Sequence, residues 1–365
     1  MKKRAKKLIM LVQFILKVSY WILLKKQNNI KKTAIVFRVS KWKQPYIEAF
    51  FPEYKLMFVP FTQWTFLLTP LIKRNPNSVF IFWGVNEDEE VTKYSKIHNI
   101  PLYRIEDGFI RSIGLGSMHT APYSICIDKT GMYFDSTKSC DLEEILNFYD
   151  FSSNPELLLR AKSCIDLLMK LGVSKYNHVE KKNIEEIYGP KDRKRILVIG
   201  QVEDDASLKK GSKKNWTNND LVQLASIENS DAEIIYKPHP DVLTGRRPMQ
   251  SDPSKVKHLA KVIEEPLSLV DSFQTIDHVY TITSLSGFEA LLRGISVTTL
   301  GAPFYSGWGL TDDRQKVSRR KRNLTIEELF AGAYILYPKY ADPVTKKKLD
   351  LEEVIGKIAS SVDRE

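Results

Sequence analysis

The sequence predicts an α/β protein made of two Rossmann-like halves with a cleft between them. Three observations carry that expectation. Short apolar runs alternate with segments of helical spacing, the pattern of parallel strands joined by crossover helices. A polar, charged stretch at 175–194, containing Gly189–Pro190, separates two such series. Three segments, Gly200–Ser212 (GQVEDDASLKKGS), Tyr236–Val242 (YKPHPDV) and Ser284–Gly294 (SLSGFEALLRG), each run from a strand into a loop or helix start. They place acids, a Lys/His pair and a Ser/Gly-rich helix start at the carboxyl ends of successive strands, where α/β sheets bind ligands. At 365 residues the chain is long for one core, so two domains are expected.

Ala34–Val39 (AIVFRV), Lys55–Val59 and Ser78–Trp83 (SVFIFW) read as the first strands, the last bounded by Asn75–Pro76–Asn77 and Gly84. Ile100–Ile105 runs into an acidic turn, Glu106–Asp107–Gly108. Tyr123–Asp128 and Met132–Asp135 flank Lys129–Thr130–Gly131 as an expected hairpin. Leu142–Tyr149 and Pro155–Leu171 have apolar residues at helical spacing. In the second half, Arg195–Gly200 (RILVIG), Glu233–Tyr236, His278–Thr283 and Ser296–Leu300 read as strands. Trp216–Ser226, Leu267–Phe273 and Phe288–Arg293 read as helices between them, and Leu324–Leu336 and Leu349–Ile358 as closing helices. The expected division is 1–32 as a basic amphipathic segment, 33–190 and 191–333 as the two Rossmann-like domains, and 334–365 as C-terminal helices.

The formal net charge is +11, but residues 1–32 hold Lys2, Lys3, Arg4, Lys6, Lys7, Lys17, Lys25, Lys26, Lys31 and Lys32 and no acid. The rest of the chain is nearly neutral. A nucleic-acid binder would need a basic face on the fold itself, so that class is disfavoured. Leu8–Leu24 (LIMLVQFILKVSYWILL) is apolar apart from Gln13, Lys17 and Tyr20, which share one helical face. With basic flanks it reads as a helix lying in an anionic membrane surface. A span would be short and would carry Lys17 near its middle. The remaining reading is a helix packed on its own domain. No small-residue cleavage site follows, so a secretory signal is not expected. Cys126, Cys140 and Cys164 show no CxxC and no metal-ligand spacing, which fits free thiols in a reducing compartment. The absence of HExxH, GxGxxG and Walker A patterns argues against a zinc protease, a dehydrogenase or a P-loop ATPase.

Each candidate site has two readings. Ser284, Ser286 and Gly287 precede a helix, where backbone N–H groups and hydroxyls suit a phosphate. Ser286 with Glu289 also matches a purely structural capping box; otherwise Glu289 faces the cleft and holds ribose hydroxyls. Lys237 and His239 flank Pro238, with Pro240 following, so the loop is held extended. It either contacts a phosphate or carboxylate or is an ordinary surface loop. Glu203, Asp204 and Asp205 are adjacent carboxylates that repel one another. Either one is a nucleophile or base oriented by another, or the three form a solvated acidic loop or metal ligands. Lys209, Lys210 and Lys213 nearby suit an anionic ligand. Glu106 and Asp107, with Arg111 four residues beyond Asp107, either supply a second carboxylate across the cleft or form a plain Asp-Gly turn. In the aromatic, Gly-rich Phe304–Asp313 segment, Tyr305 and Trp308 either stack on a base or sugar or plug the domain interface.

The strings RIEDGFIRSIGLGS, GQVEDDAS…GS, YKPHPDV, TSLSGFEALLRG and PFYSGWGLTDD resemble the bacterial capsule-polysaccharide β-Kdo transferases. The resemblance runs from about Val36 to the 336–343 stretch LYPKYADP, with a weaker match at Ser40–Lys43 (SKWK). It implies a GT-B-like glycosyltransferase fold with an inter-domain cleft, residues 33–190 on the acceptor side and 191–333 binding the donor, CMP-Kdo. It implies transfer with retention through a covalent Kdo–enzyme adduct. Carried over to this sequence, Asp205 ends the QxxxD pattern as nucleophile, with Asp204 as the alternative, and Glu106 is the general acid/base. Lys237 and His239 sit on the donor phosphate or Kdo carboxylate. Ser284, Ser286 and Gly287 hold the CMP phosphate, and Glu289 the ribose. Gln201, Ser207, Gly211 and Ser212 line the donor, and Arg111, Tyr305 and Trp308 are further substrate contacts.

No metal or cofactor is expected, because CMP leaves readily and phosphate-binding cations suffice. The expected partners are a lipid-linked acceptor (phospholipid or Kdo-glycolipid), the membrane surface through residues 1–32, and capsule assembly proteins. The expected location is the cytoplasm, peripheral on the inner face of the cytoplasmic membrane. Many members carry two transferase modules and this chain has one, and its basic N-terminal segment is not part of the motif set. Competing readings are a transferase of the same fold using another CMP- or UDP-sugar, and a non-catalytic scaffold. The scaffold is disfavoured because every expected site residue is present.

Overall fold

The apolar runs become strands β1 (Lys32–Phe37), β2 (Tyr54–Val59), β3 (Val79–Trp83), β4 (Leu102–Asp107), β5 (Ser124–Asp128), β6 (Arg195–Ile199), β7 (Glu233–Lys237), β8 (Lys261–Val262), β9 (His278–Thr281), β10 (Ser296–Thr299), β11 (Asp312–Asp313) and β12 (Pro338–Tyr340). Helices bearing on the site and its support are α1 (Lys2–Leu24), α2 (Pro155–Leu171), α3 (Ala206–Gly211), α4 (Asn218–Glu228), α5 (Leu285–Leu291), α6 (Ile326–Phe330) and α7 (Leu351–Val362). The computed structural model describes residues 2–24, 32–59, 65–85, 88–114, 116–175, 177 and 182–362. Lys25, Lys26 and Lys31 of the basic segment lie outside the described residues.

The strands form two six-stranded sheets, ordered β12-β5-β4-β3-β1-β2 and β11-β10-β9-β6-β7-β8. In the first, β1 to β4 are parallel and β5 is antiparallel to β4. In the second, all the paired strands are parallel. The expected two-domain α/β fold is therefore present. Burial explains the strand composition: every residue of β6 (RILVI) is buried, as in sheets covered on both faces. Alternate residues of β1 enter different cores, Val36 with Ile81 and Phe50, Phe37 with Phe80 and Leu68.

Helix ends are set by local chemistry. Asn154 Oδ1 accepts the Leu157 N–H at 3.1 Å to start α2, and Gly172 at φ 63° stops it. Full capping boxes, Thr217–Asp220 and Thr325–Glu328, open α4 and α6.

The chain divides into unit 1 (Met1–Gly108, Ala121–Met132, Lys339–Leu349) and unit 2 (Phe109–Thr120, Tyr133–Pro338, Asp350–Glu365). This differs from the boundary expected near residue 190. The cause is packing that crosses it: Phe109 lies 4.7 Å from Phe304 and 5.2 Å from Tyr334 between ring centroids. Arg160 of α2 is paired with Glu352 of α7 at 2.7 Å. The stretch 339–349 belongs instead with unit 1, where Lys346 meets Glu48 at 2.7 Å and Ala341 enters the sheet core. The hairpin expected across 123–135 does not form. β5 pairs with β4, and Asp128 Oδ1 accepts the Thr130 and Gly131 N–H groups at 2.8 and 2.6 Å, turning the chain out of the sheet.

Arg195 opens β6 with its side chain fully buried. It donates to Glu233 Oε2 and Thr275 Oγ1, each at 2.6 Å, and to the Gly189 and Pro190 carbonyls at 3.1 and 3.0 Å. We expect Arg195→Met to destabilise the protein by about 3 kcal/mol, because it strands these acceptors. The check is a lower urea midpoint with an unchanged slope.

Candidate active site

Three loops of unit 2 leave the carboxyl ends of β6, β7 and β9 and are tied together at their first residues. The Gly200 N–H donates to the Lys237 carbonyl at 2.8 Å. A Cβ at Gly200 would lie 3.0 Å from Pro238 Cα, so any other residue would push the Pro238 backbone back by a few tenths of an ångström. The Gln201 side chain joins β6 to β9: Oε1 accepts the Thr283 N–H at 2.8 Å and Nε2 donates to Thr283 Oγ1 at 3.1 Å. Gln201 is therefore a positioning residue. Its amide is bonded at both ends within the protein.

The three adjacent acids have three separate roles. Glu203 accepts from the Asn218 N–H at 2.6 Å, the Ser251 N–H at 2.8 Å and the Ser251 hydroxyl at 2.6 Å, and so holds the start of α4 and the 251 loop. Asp204 pairs with Arg247 at 2.5 Å, and this bond holds its carboxyl below the usual range. Asp205 caps α3, its Oδ1 accepting the Ser207 N–H at 2.8 Å. That bond fixes the carboxylate and leaves Oδ2 available. Ser207 contributes this backbone N–H to the site's geometry.

The Lys237 ammonium, at the end of β7, has no hydrogen bond or ion pair to any described residue, and burial pushes it down to about 8. His239 accepts the Asp241 N–H on Nδ1 at 3.1 Å, which places the ring proton on Nε2. Burial lowers its pKa. Lys237 and Lys175 lower it further, while Asp241 and Asp205 oppose them. The same imidazole thus feels Lys237, Lys175 and Asp205, and at neutral pH it offers a neutral Nε2–H.

Ser284 caps α5, accepting the Ser286 N–H at 3.2 Å, and the two hydroxyls meet at 3.1 Å. The Ser286–Glu289 capping box does not form. Glu289 instead accepts the Lys175 N–H on Oε1 at 3.1 Å, while Oε2 is buried without a hydrogen-bond partner among the described residues. Burial raises its carboxyl, against the pull of Arg293 and Lys175. Gly287 lets α5 lie against Tyr305: a Cβ there would sit 2.2 Å from Tyr305 Oη. Gly211 is buried, and its carbonyl accepts from Ala302 N–H and Gln315 Nε2 at 2.7 and 3.1 Å. The Ser212 hydroxyl donates to the Lys214 carbonyl at 2.7 Å.

Tyr305 and Trp308 correct another expectation. Both are fully buried, Tyr305 donating to the Ser284 carbonyl and Trp308 Nε1 to the Phe304 carbonyl at 2.8 Å, so neither ring is offered to a ligand. Arg111 is likewise buried, with Nη1 donating to Ser112 Oγ at 2.6 Å, and is enclosed rather than displayed. In unit 1, Glu106 Oε1 accepts the Asp107 N–H at 3.0 Å. Asp107 pairs with Lys43 at 3.2 Å, whose ammonium lies 3.5 Å from the Trp83 ring centroid. The SKWK string thereby supports the acidic turn at the carboxyl ends of β1, β3 and β4. Among the described residues no three His, Cys, Asp or Glu side chains gather as metal ligands.

The family described as capsule polysaccharide biosynthesis protein matches residues 79–340. The chain belongs to this family. Lipopolysaccharide-processing protein LpsZ of Rhizobium meliloti is 42% identical over 330 residues, covering 90% of this chain and 74% of that protein. The structure is similar to that named Thermosulfurimonas dismutans KpsC, β-Kdo 2,4 transferase, with TM-score 0.73 and 31% identity over 92% of this chain and 99% of that one. It is similar too to the KpsC β-Kdo 2,7 transferase of the same organism, with TM-score 0.68 and 33% identity over 90% of this chain and 99% of that one. The fold of this capsule family member is the two-domain GT-B-like α/β fold of glycosyltransferases.

Lys175 and Arg247 were missed from sequence. Each sits in a polar stretch, and only the fold brings them to Glu289 and Asp204. We expect Gly287→Ala to cost about 1–3 kcal/mol through overpacking on Tyr305. Adding Tyr305→Phe should recover part of it, giving a positive coupling in a double-mutant cycle read by chemical denaturation.

Proposed function

We propose that this capsule family member transfers Kdo from CMP-Kdo to a lipid-linked or glycan acceptor in capsule or surface polysaccharide assembly, with retention of configuration. The observation that carries the reading is the grouping of a Lys237 ammonium without a partner among the described residues, the His239 Nε2–H and the Asp205 carboxylate in unit 2. A donor with a phosphodiester and a sugar carboxylate suits two such donors beside one carboxylate. The similarity to structures named β-Kdo transferases supports the same donor sugar. The reaction is placed at the inner face of the cytoplasmic membrane.

In this mechanism Lys237 and His239 hold the phosphate and the Kdo carboxylate. The Ser284 and Ser286 hydroxyls take further phosphate oxygens, and Glu289 holds the ribose. Asp205 Oδ2 bonds to the anomeric carbon as the bond from that carbon to the CMP oxygen breaks, and the electron pair leaves with CMP. Asp205 is preferred over Asp204 because Arg247 already compensates the latter. Glu106 is proposed as the base that then takes the proton of the acceptor hydroxyl. The acceptor oxygen bonds to the anomeric carbon and Asp205 departs as a carboxylate. Two displacements leave the configuration retained. CMP departs as a stable anion, so the step is proposed to need no metal ion.

Intact-protein mass spectrometry with CMP-Kdo generated in situ tests this. Wild type is expected to gain one Kdo and Asp205→Ala none. Absence of both an adduct and CMP release in the wild type would overturn the donor assignment. Affinity for CMP carries a pH signature. Lys237 is depressed to about 8 in the free protein, and a bound phosphate favours its charged form. Below pH 8 binding finds the cation ready-made. Above it binding must take up a proton, so the affinity falls by up to about tenfold per pH unit. Calorimetric titrations at pH 7 to 9.5 should show that fall, and Lys237→Met should flatten it.

A further inference from the structure

We propose that α1 lies on an anionic lipid bilayer and inserts the face formed by Leu8, Ile9, Val12, Ile15 and Leu16. The inference rests on the lipid-linked acceptor proposed above and says how unit 1 is held beside it. The helix has two apolar sides. Phe14 and Val18 are 2% and 5% exposed and enter the core of the first sheet beside Leu68 and Leu71. Lys17 turns toward the same unit, donating to the Phe58 carbonyl at 3.1 Å, and burial lowers its ammonium. Gln13 and Tyr20 share this side of the helix, as expected, and both are exposed.

On the opposite side Leu8, Ile9, Val12, Ile15 and Leu16 are 62%, 58%, 48%, 44% and 64% exposed. At helical spacing they fill one arc of about 120°. A continuous exposed apolar arc of this kind marks an interaction surface. The charge pattern selects the partner. Lys2, Lys3, Arg4, Lys6 and Lys7 precede the arc, Lys25 and Lys26 follow it, and no acid occurs in residues 1–32. Basic ends around an apolar face match anionic headgroups above an acyl layer. A second copy of the chain would bring like charges together. No helix among the described residues is long and apolar enough to cross a membrane, so α1 is placed on the surface.

The test is co-sedimentation of the full chain with vesicles of phosphatidylcholine, with and without phosphatidylglycerol. Binding is expected to the anionic vesicles and to weaken at high salt. Val12→Asp and Leu16→Asp should each reduce it by about tenfold or more. Ile227→Asp, at an exposed apolar site in unit 2, should not change it. Kdo transfer to a soluble Kdo-terminated glycoside should be unaffected by Leu16→Asp. Failure of the wild type to bind anionic vesicles while transferring Kdo to that glycoside would overturn the inference alone. Vesicle binding without any Kdo transfer would support the surface and reject the function. A dimer lost in Leu16→Asp, with no vesicle binding, would assign the face to a second copy and overturn the lipid proposal.

Discussion

The site of unit 2 depends on one constraint, the closure of three strand ends against one another. The carboxyl ends of β7, β6 and β9 neighbour one another in the second sheet. Parallel pairing alone would leave their loops to diverge. The Gly200 N–H on the Lys237 carbonyl and the Gln201 amide on Thr283 stop that at the first residue beyond the sheet. Asp205, His239 and Ser284 then follow within a few residues of these ties. Each is itself fixed as a helix cap, so the groups that matter are held by backbone rather than by flexible side chains.

The treatment of buried cations separates structure from site. Arg195 is bonded on all three guanidinium nitrogens. Arg320, 3% exposed in its side chain, donates to Glu143, the Ser306 carbonyl and the Ser306 hydroxyl. Both follow the rule that a buried charge is paired. The Lys237 ammonium has no such partner among the described residues, and one oxygen of the buried Glu289 carboxyl lacks a hydrogen bond among them. A fold that pairs Arg195 and Arg320 in this way has the means to satisfy these two. Leaving them open costs stability, and a bound ligand with an anion for Lys237 and a hydroxyl for Glu289 offsets that cost.

The fold was legible because its strands are buried on both faces, which writes continuous apolar runs such as RILVI into the chain. The loops were legible for a related reason: Lys237, His239 and Ser284 follow directly from strand ends. What could not be read is whatever depends on distant pairing. Arg247 reaches back to Asp204 and Lys175 reaches forward to Glu289, and neither spacing leaves a local pattern. Tyr305 and Trp308 misled because an aromatic, Gly-rich loop has the same composition whether it stacks on a ligand or fills a core. The decision lies in Phe304 and Phe288, 5.3 Å apart, which draw the loop inward. Polarity near residue 190 marks a linker, whereas the two compact units follow where Phe109 and α2 pack.

Three adjacent carboxylates in one loop would destabilise it if they shared one environment. The chain resolves this by giving each a different neighbour. Glu203 is satisfied by neutral donors from two segments, and Asp204 by Arg247. Asp205 has a backbone N–H and an electrostatic interaction with His239, but no ion pair with a Lys or Arg among the described residues. A carboxylate neutralised by arginine has little negative potential left for a positive charge developing on a sugar carbon, and it is a poorer nucleophile. A carboxylate held only by a peptide N–H keeps both. The order of the loop therefore makes chemical sense. The first acid builds the scaffold, the second is paired with arginine, and the third is oriented by a backbone N–H beside the imidazole proposed to hold an anionic donor.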